Sequence, residues 1–303
     1  MRPTAVSALA LAALTNLALA QSQALYGIGN GVGDGSSNLI RIVDYANAPV
    51  AQDLGETGNQ FLDIAIHPST LEAFGVANDG LYRIDLNDAS TEFVGSLGGR
   101  NGFNGLDFDS SGQAWGWRNN DNTLYQIDVL TGLATPVGSG NGFRSAGDLA
   151  FDTDGTLYGA AQGGSLVRFD TSTGIATLVG SFGIAQPYGL EIDANGVMYV
   201  IDARDSNQSN GAKAVLYTVD KTTGATTLVA DLTNDGPFGN YGLAFAPTCR
   251  ADLVPDGILD LADIGAFTSG FLGRDPIADL NNDGIFDLAD IGLFIDSFTA
   301  GCP

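Results

Sequence analysis

Apolar and polar residues alternate in short runs through residues 24–246, and the runs are broken by Gly, Asn, Asp and Thr-Gly pairs. Period two is the spacing of a strand with one face buried, and the breaks are turn formers, so the chain is expected to be mainly β. One pattern returns. Leu81-Tyr82-Arg83-Ile84-Asp85, Leu124-Tyr125-Gln126-Ile127-Asp128, Leu166-Val167-Arg168-Phe169-Asp170 and Leu216-Tyr217-Thr218-Val219-Asp220 match one another. Leu39-Ile40-Arg41-Ile42 is an earlier copy, with Val43 in the Asp place. Successive copies lie 42, 43, 42 and 50 residues apart.

Upstream of four copies sits another apolar run: Asp63-Ile64-Ala65-Ile66, Gly105-Leu106-Asp107-Phe108, Asp148-Leu149-Ala150-Phe151 and Gly189-Leu190-Glu191-Ile192. The first copy lacks this run, and a spare one, Gly242-Leu243-Ala244-Phe245, follows the last. Four strands in about 42 residues suit a β-propeller blade, because solenoid repeats of that length are helical and show a 3.6-residue period. The sequence therefore predicts a five-bladed propeller over 21–248, its first blade closed by the strand at 242–246, so that no sheet edge is left open. The repeat resembles secreted bacterial propellers of the broad YVTN and NHL-like type, a likeness that implies architecture and not activity.

Antiparallel strands put the loops that lead into each inner strand on one face, together with the loops joining second to third strands. Phe61, Phe103, Phe143, Tyr188 and Tyr241 fall in or beside the first of these loop sets, and the insertion at 204–213 shares that face. They are candidates for a ligand face. Such aromatics either pack between blades or form a platform for sugar rings, with Asn101, Asn104, Asn141 and Asn240 as hydrogen-bonding partners. Trp115 and Trp117, either side of Gly116, are expected to pack between blades. His67 takes the place of Asp109, Asp152 and Asp193 in other copies and reads as a turn residue. Asp107 and Glu191, at matching places on different inner strands, are weak catalytic candidates, as a carboxyl pair for glycoside chemistry.

The pattern changes after residue 248. Asp279, Asn281, Asp283, Asp287 and Asp290 place side-chain oxygens at positions 1, 3, 5, 9 and 12 of a twelve-residue loop, with Gly284 at 6 and the Ile285 carbonyl at 7. A hard cation taking six to eight oxygens fits this spacing, and glycine permits the turn that wraps them round it. A second loop begins 27 residues earlier, with Asp252, Asp256, Gly257, Ile258, Asp260 and Asp263 in the same places and Val254, which cannot coordinate, at position 3. Two Ca2+ sites are expected, the first weaker. After each loop, Leu261-Ile264-Phe267-Phe271 and Leu288-Ile291-Phe294-Phe298 have helical spacing, which predicts two helices over a shared core.

These paired EF-hand-type loops over 249–303, framed by Cys249 and Cys302, resemble dockerin domains in the variant found in planctomycete secreted proteins. The resemblance implies a cohesin-like partner or a cell-surface component. It also assigns partner choice to loop positions 10 and 11, here Leu261-Ala262 and Leu288-Ala289, although both Leu residues also suit the helix core.

Charge and export complete the picture. The formal charge of −23, with twelve Lys and Arg, excludes nucleic acid as a natural partner and favours cations. Residues 1–20 read as a signal peptide, with a short apolar stretch and Ala18 and Ala20 before a cleavage point near Ala20. The expected location is extracellular, with no membrane span in the mature chain and a disulfide between Cys249 and Cys302. The leading functional reading is a non-catalytic propeller that recognises an extracellular ligand such as polysaccharide and is attached through its calcium-binding tail. The alternatives are a glycoside hydrolase or polysaccharide lyase, and a structural adhesion or matrix protein.

Overall fold

The computed structural model describes residues 24–30, 35–184, 186–204, 213–232, 241–246, 251–254, 259–281 and 284–300. Twenty strands form five four-stranded antiparallel sheets. Blade one contains β1 (Leu25–Asn30), β2 (Ser37–Val43) and β3 (Val50–Glu56). Blade two is β4 (Phe61–Ile66), β5 (Ala73–Ala77), β6 (Leu81–Ile84) and β7 (Thr91–Gly95). Blade three is β8 (Phe103–Phe108), β9 (Ala114–Arg118), β10 (Thr123–Ile127) and β11 (Ala134–Val137). Blade four is β12 (Ser145–Phe151), β13 (Leu157–Ala161), β14 (Ser165–Asp170) and β15 (Ile175–Ser181), and blade five is β16 (Pro187–Ile192), β17 (Met198–Arg204), β18 (Lys213–Val219) and β19 (Thr226–Asp231). The spare run is β20 (Tyr241–Phe245), which pairs antiparallel with β1, Leu25 opposite Phe245, and so supplies blade one with its inner strand.

In blades one to four the second strand carries an aromatic residue next to a glycine, Tyr26-Gly27, Phe74-Gly75, Trp115-Gly116 and Tyr158-Gly159, whereas blade five has Val200 after Tyr199. In blades two to four a Cβ on Gly75, Gly116 or Gly159 would strike a large side chain of the same or a neighbouring blade, such as Phe61, Phe103 or Trp117. The missing side chain is what lets bulky residues fill the space between sheets. Trp117 of blade three, fully buried, meets Phe169 of blade four edge-to-face at 4.9 Å, and Trp115 lies 6.2 Å from Phe151. Both tryptophans therefore join blades three and four. In blades two to five a bulge interrupts the register of the inner strand near its start, between Phe61 and Asp63 in blade two for example. A bulge adds twist and turns the following residues, here towards the axis.

Two helices follow the propeller, α1 (Leu261–Gly273) and α2 (Leu288–Ala300). Asp260 caps α1 by accepting from the Ala262 N–H at 2.6 Å, in a capping box completed by Asp263. The helices meet through Phe267 and Phe294, stacked at 4.2 Å and 11°. Around that pair lie Ala251, Leu253, Ala278 and Leu280, all buried. Leu261 and Leu288 do not join this core. They are 83 % and 82 % exposed, because the first residue of each helix faces away from the pairing seam.

Candidate functional site

On the upper face, where loops lead into the inner strands, the five candidate aromatics do not form one ring. Phe61 and Phe103 are buried inside their blades, packed edge-to-face on Tyr82 and Tyr125, because the inner-strand bulge turns them into the sheet core. Phe143 and Tyr188 are half-buried, and Tyr241 begins β20 with its side chain outside the described residues. The accessible aromatic surface is thus concentrated at blades four and five.

There a cavity of about 190 Å³ is lined by Ala146, Gln162, Gly163, Gln186, Pro187 and Tyr188. Its walls are neutral. The Gln162 N–H donates to the Arg144 carbonyl at 2.8 Å, and the Gln186 N–H donates to Asp202 Oδ1 at 3.0 Å. Asp202 is fully buried, so the backbone that carries Gln186 is held where it lines the cavity. Nearby, Asn104 Oδ1, Trp117 Nε1, Asp121 Oδ1, Asn122 Oδ1, Asn141 Nδ2 and Ser145 Oγ are buried without a hydrogen-bond partner among the described residues. All six sit at the upper ends of blades three and four. Buried polar atoms without a protein partner mark places for ordered water or ligand atoms. Asn101 is engaged by Asn120 and Arg118, and Asn240 lies outside the described residues.

Asp107 and Glu191 are together on the axis, joined by two acids that sequence spacing had not assigned a role, Asp63 and Asp148. Asp63 and Asp148 form an upper tier, on β4 and β12. Asp107 and Glu191 form a lower tier two places further along β8 and β16. Every one accepts a backbone N–H from another blade. Leu106 donates to Asp63 at 2.6 Å, Phe151 to Asp107 at 2.6 Å, and Phe245 to Glu191 at 3.3 Å. Asp148 Oδ2 accepts from both Leu190 at 2.8 Å and Leu243 at 3.1 Å. The inner strands are sheet edges with free N–H groups, and these carboxyls satisfy them. Burial raises Asp63, Asp148 and Glu191 well above the usual carboxylate range, and pushes Asp107 up to about 7. A signal was available in sequence: acids occur at alternating places in a run that otherwise holds Gly or Ala. At Gly242 a Cβ would collide with the Asp63 carboxyl, so the glycine makes room for it.

His67 is a hairpin residue. Its Nδ1 accepts from the Ser69 and Thr70 N–H groups, each at 3.2 Å, which is the role Asp109 performs for Ser111 and Gln113.

In the tail, Asp263 and Asp290 are fully buried. Asp263 accepts from the Val254 N–H at 2.9 Å and the Asp260 N–H at 3.0 Å. Asp290 accepts from Leu280 at 2.8 Å and Asp287 at 3.0 Å, so the two loops repeat one arrangement. Gly284 has φ +78° and donates its N–H to Asp279 Oδ2 at 2.9 Å. Asp252 and Asp279 are half-buried, whereas Asp260, Asn281, Ile285 and Asp287 are exposed. Asp256, Ile258, Asp283, Cys249 and Cys302 lie outside the described residues, as do the signal-peptide residues. The donor set is hard oxygen throughout, and residues 249–303 hold ten Asp against Arg250 and Arg274. That chemistry fits calcium.

Residues 75–207 match a family described as a repeat of unknown function, DUF6923. No curated protein matches the chain. Among solved structures it is similar to a chain of a nidogen/laminin complex, at 10% identity and TM-score 0.50, over 75% of this chain and 99% of that one. It is also similar to a protein of unknown function from Bacteroides thetaiotaomicron VPI-5482, at 15% identity and TM-score 0.48, over 76% and 66%. TolB from Acinetobacter baumannii aligns at 15% identity and TM-score 0.45, over 75% and 67%. At such identity the likeness concerns the propeller fold alone. No helix among the described residues is long and apolar enough to cross a membrane.

Proposed function

We propose that this chain is an exported, non-catalytic recognition protein whose propeller binds a neutral carbohydrate at the upper face, and whose tail binds two calcium ions and docks the molecule to an extracellular assembly. The observation that carries this reading is the cavity between blades four and five. It offers two carboxamides and the Tyr188 ring, with no charged side chain in its lining. Carboxamides that donate and accept, beside an aromatic face, suit a polyhydroxylated ring better than an ion. The buried, unpartnered atoms of Asn141 and Ser145, in the segment that leads into Ala146 of the lining, mark places for ordered water or ligand atoms beside it. Asp107 and Glu191 have oxygens committed to N–H groups of neighbouring blades, which weakens the glycosidase alternative.

For the tail, the buried position-12 carboxylates and the left-handed Gly284 support calcium in the second loop, with Val254 weakening the first. The exposed Leu261 and Leu288, at equivalent places in the two repeats, support a docking role for a cohesin-like protein or a cell-surface component.

The test is binding of the full chain, with calcium, to an array of neutral polysaccharides. Tyr188→Ala and Gln186→Ala are expected to lower affinity about tenfold, the scale of one lost stacking or hydrogen-bonding contact, while the melting temperature stays unchanged. Product release from any bound polysaccharide would restore the enzyme reading. Absence of binding across the array would leave the adhesion reading in its place.

A further inference from the structure

The upper tier of axial acids does more than fill a channel. Asp63 stands on blade two and accepts from Leu106 of blade three. Asp148 stands on blade four and accepts from Leu190 of blade five and Leu243 of blade one. The two carboxyls meet at the axis on β20, where Asp63 Oδ1 fills the space a Cβ on Gly242 would need and the next residue, Leu243, donates its N–H to Asp148 Oδ2. Two side chains therefore tie together all five blades, including β20, the strand that closes the ring. Two ionised carboxylates side by side in a buried site repel, so this contact favours a proton held between them.

Among the described residues no ion pair supplies a cation in that proton's place. The ion pairs among the described residues are Arg83 with Glu72 and Glu92, Arg118 with Asp121, and Lys221 with Asp152, and none includes an axial acid. The inner strands carry no charged residue other than the four acids themselves. On the second strands packed behind them, Arg118 and Asp202 are held at the upper rim by Asp121 and Gln186, and Arg204 is the last residue of β17. The remaining charge that acts on the group is Asp109, which faces Asp107 and is also negative.

We propose that Asp63 and Asp148 form a proton-held clasp of the propeller ring, and that loss of the shared proton at alkaline pH loosens the closure between blades one, two and four. Ionisation of both would place like charges in contact in a buried site, and repulsion would pull Asp148 from the Leu243 N–H. The direction of the pH effect follows from burial, which raises both acids. The folded ring keeps protons that the unfolded chain releases near the ordinary aspartate value. Stability is therefore fully present below that value and falls as pH climbs, until the folded pair has itself ionised.

The experiment is thermal unfolding of the full chain in saturating calcium, from about pH 6 to about pH 9.5, for the unsubstituted protein, Asp148→Asn and Asp63→Asn. Either Asn keeps a donor for the remaining carboxylate and cannot ionise. The unsubstituted ring is expected to lose stability towards alkaline pH, and the variants to lose less, by roughly 3 °C or more over the range. Melting curves that shift in parallel in all three proteins would overturn the proposal. Infrared spectra of the unsubstituted protein at neutral pH supply a readout that needs no variant to fold. Absence of a protonated-carboxyl band at neutral pH overturns the clasp, and a band that weakens in Asp148→Asn or Asp63→Asn supports it by assigning the proton to this pair and not to Glu191 or Asp107.

Discussion

On the propeller axis and in the tail, carboxylates are buried in the same local way, each oxygen receiving backbone N–H groups. Asp148 accepts from Leu149, Leu190 and Leu243, and Asp290 from Leu280 and Asp287. Their surroundings differ. The axial acids are spread one to a blade on inner strands otherwise lined with Gly, Ala and large apolar residues, and burial drives them towards the neutral form. The tail acids stand in two twelve-residue loops where oxygen donors recur every second to fourth residue. A buried carboxyl that stands alone on its own strand among apolar residues loses its charge most cheaply to a proton, whereas oxygens repeated along one loop have the spacing that suits a divalent ion. The local hydrogen bonds are alike in the two regions; the arrangement of the acids along the chain is what differs.

Three measurements break or sharpen that contrast. The largest effect is expected from a chelator. If a calcium site is a thousandfold over its Kd, removal costs about 4 kcal/mol. The low-temperature unfolding transition of the tail should then fall sharply while the propeller transition holds. Equal response of both transitions would put calcium on the axis as well. Next, Asp290→Ala strands the N–H groups of Leu280 and Asp287, a loss of roughly 3 kcal/mol. Circular dichroism of the full chain should show the α2 signal lost even in calcium. The smallest effect is expected from Asp107→Asn. Asp107, raised to about 7 by burial, is protonated in acid, and its contribution falls between the ordinary aspartate value and about 7. The variant should therefore show a flatter stability profile over that span and a melting temperature a few degrees higher at about pH 8. A variant less stable at every pH would show that the carboxylate form is the one the ring uses.

Much of the propeller is legible in the chain because each blade repeats the same local instructions. The Leu-Tyr-x-Ile-Asp run, the turn and the following strand each announce themselves within a few residues. The spare run at 242–245 is visible for the same reason. The upper face is less legible. Phe61 and Phe143 both stand close to an inner strand, yet Phe61 begins β4 and is buried in its blade, whereas Phe143 lies two places ahead of β12 and is half-buried. Where each inner strand begins is not fixed by alternation alone. Leu261 and Leu288 likewise have the spacing of core residues, yet each is the first residue of its helix, faces away from the seam and is exposed.

By itself the amino-acid order determined the number of blades, the strand that closes them, and two loops whose oxygens have the spacing of a calcium ligand set. These are short-range patterns, set by periods of two, twelve and about forty-two residues. Tertiary structure alone decided that Asp63 and Asp148, 85 positions apart, meet at the axis, and that Gln162 and Gln186 line one cavity. The reason is geometric. Ring closure brings distant edges to a common centre, and no periodicity along one strand encodes which side chain will meet another there.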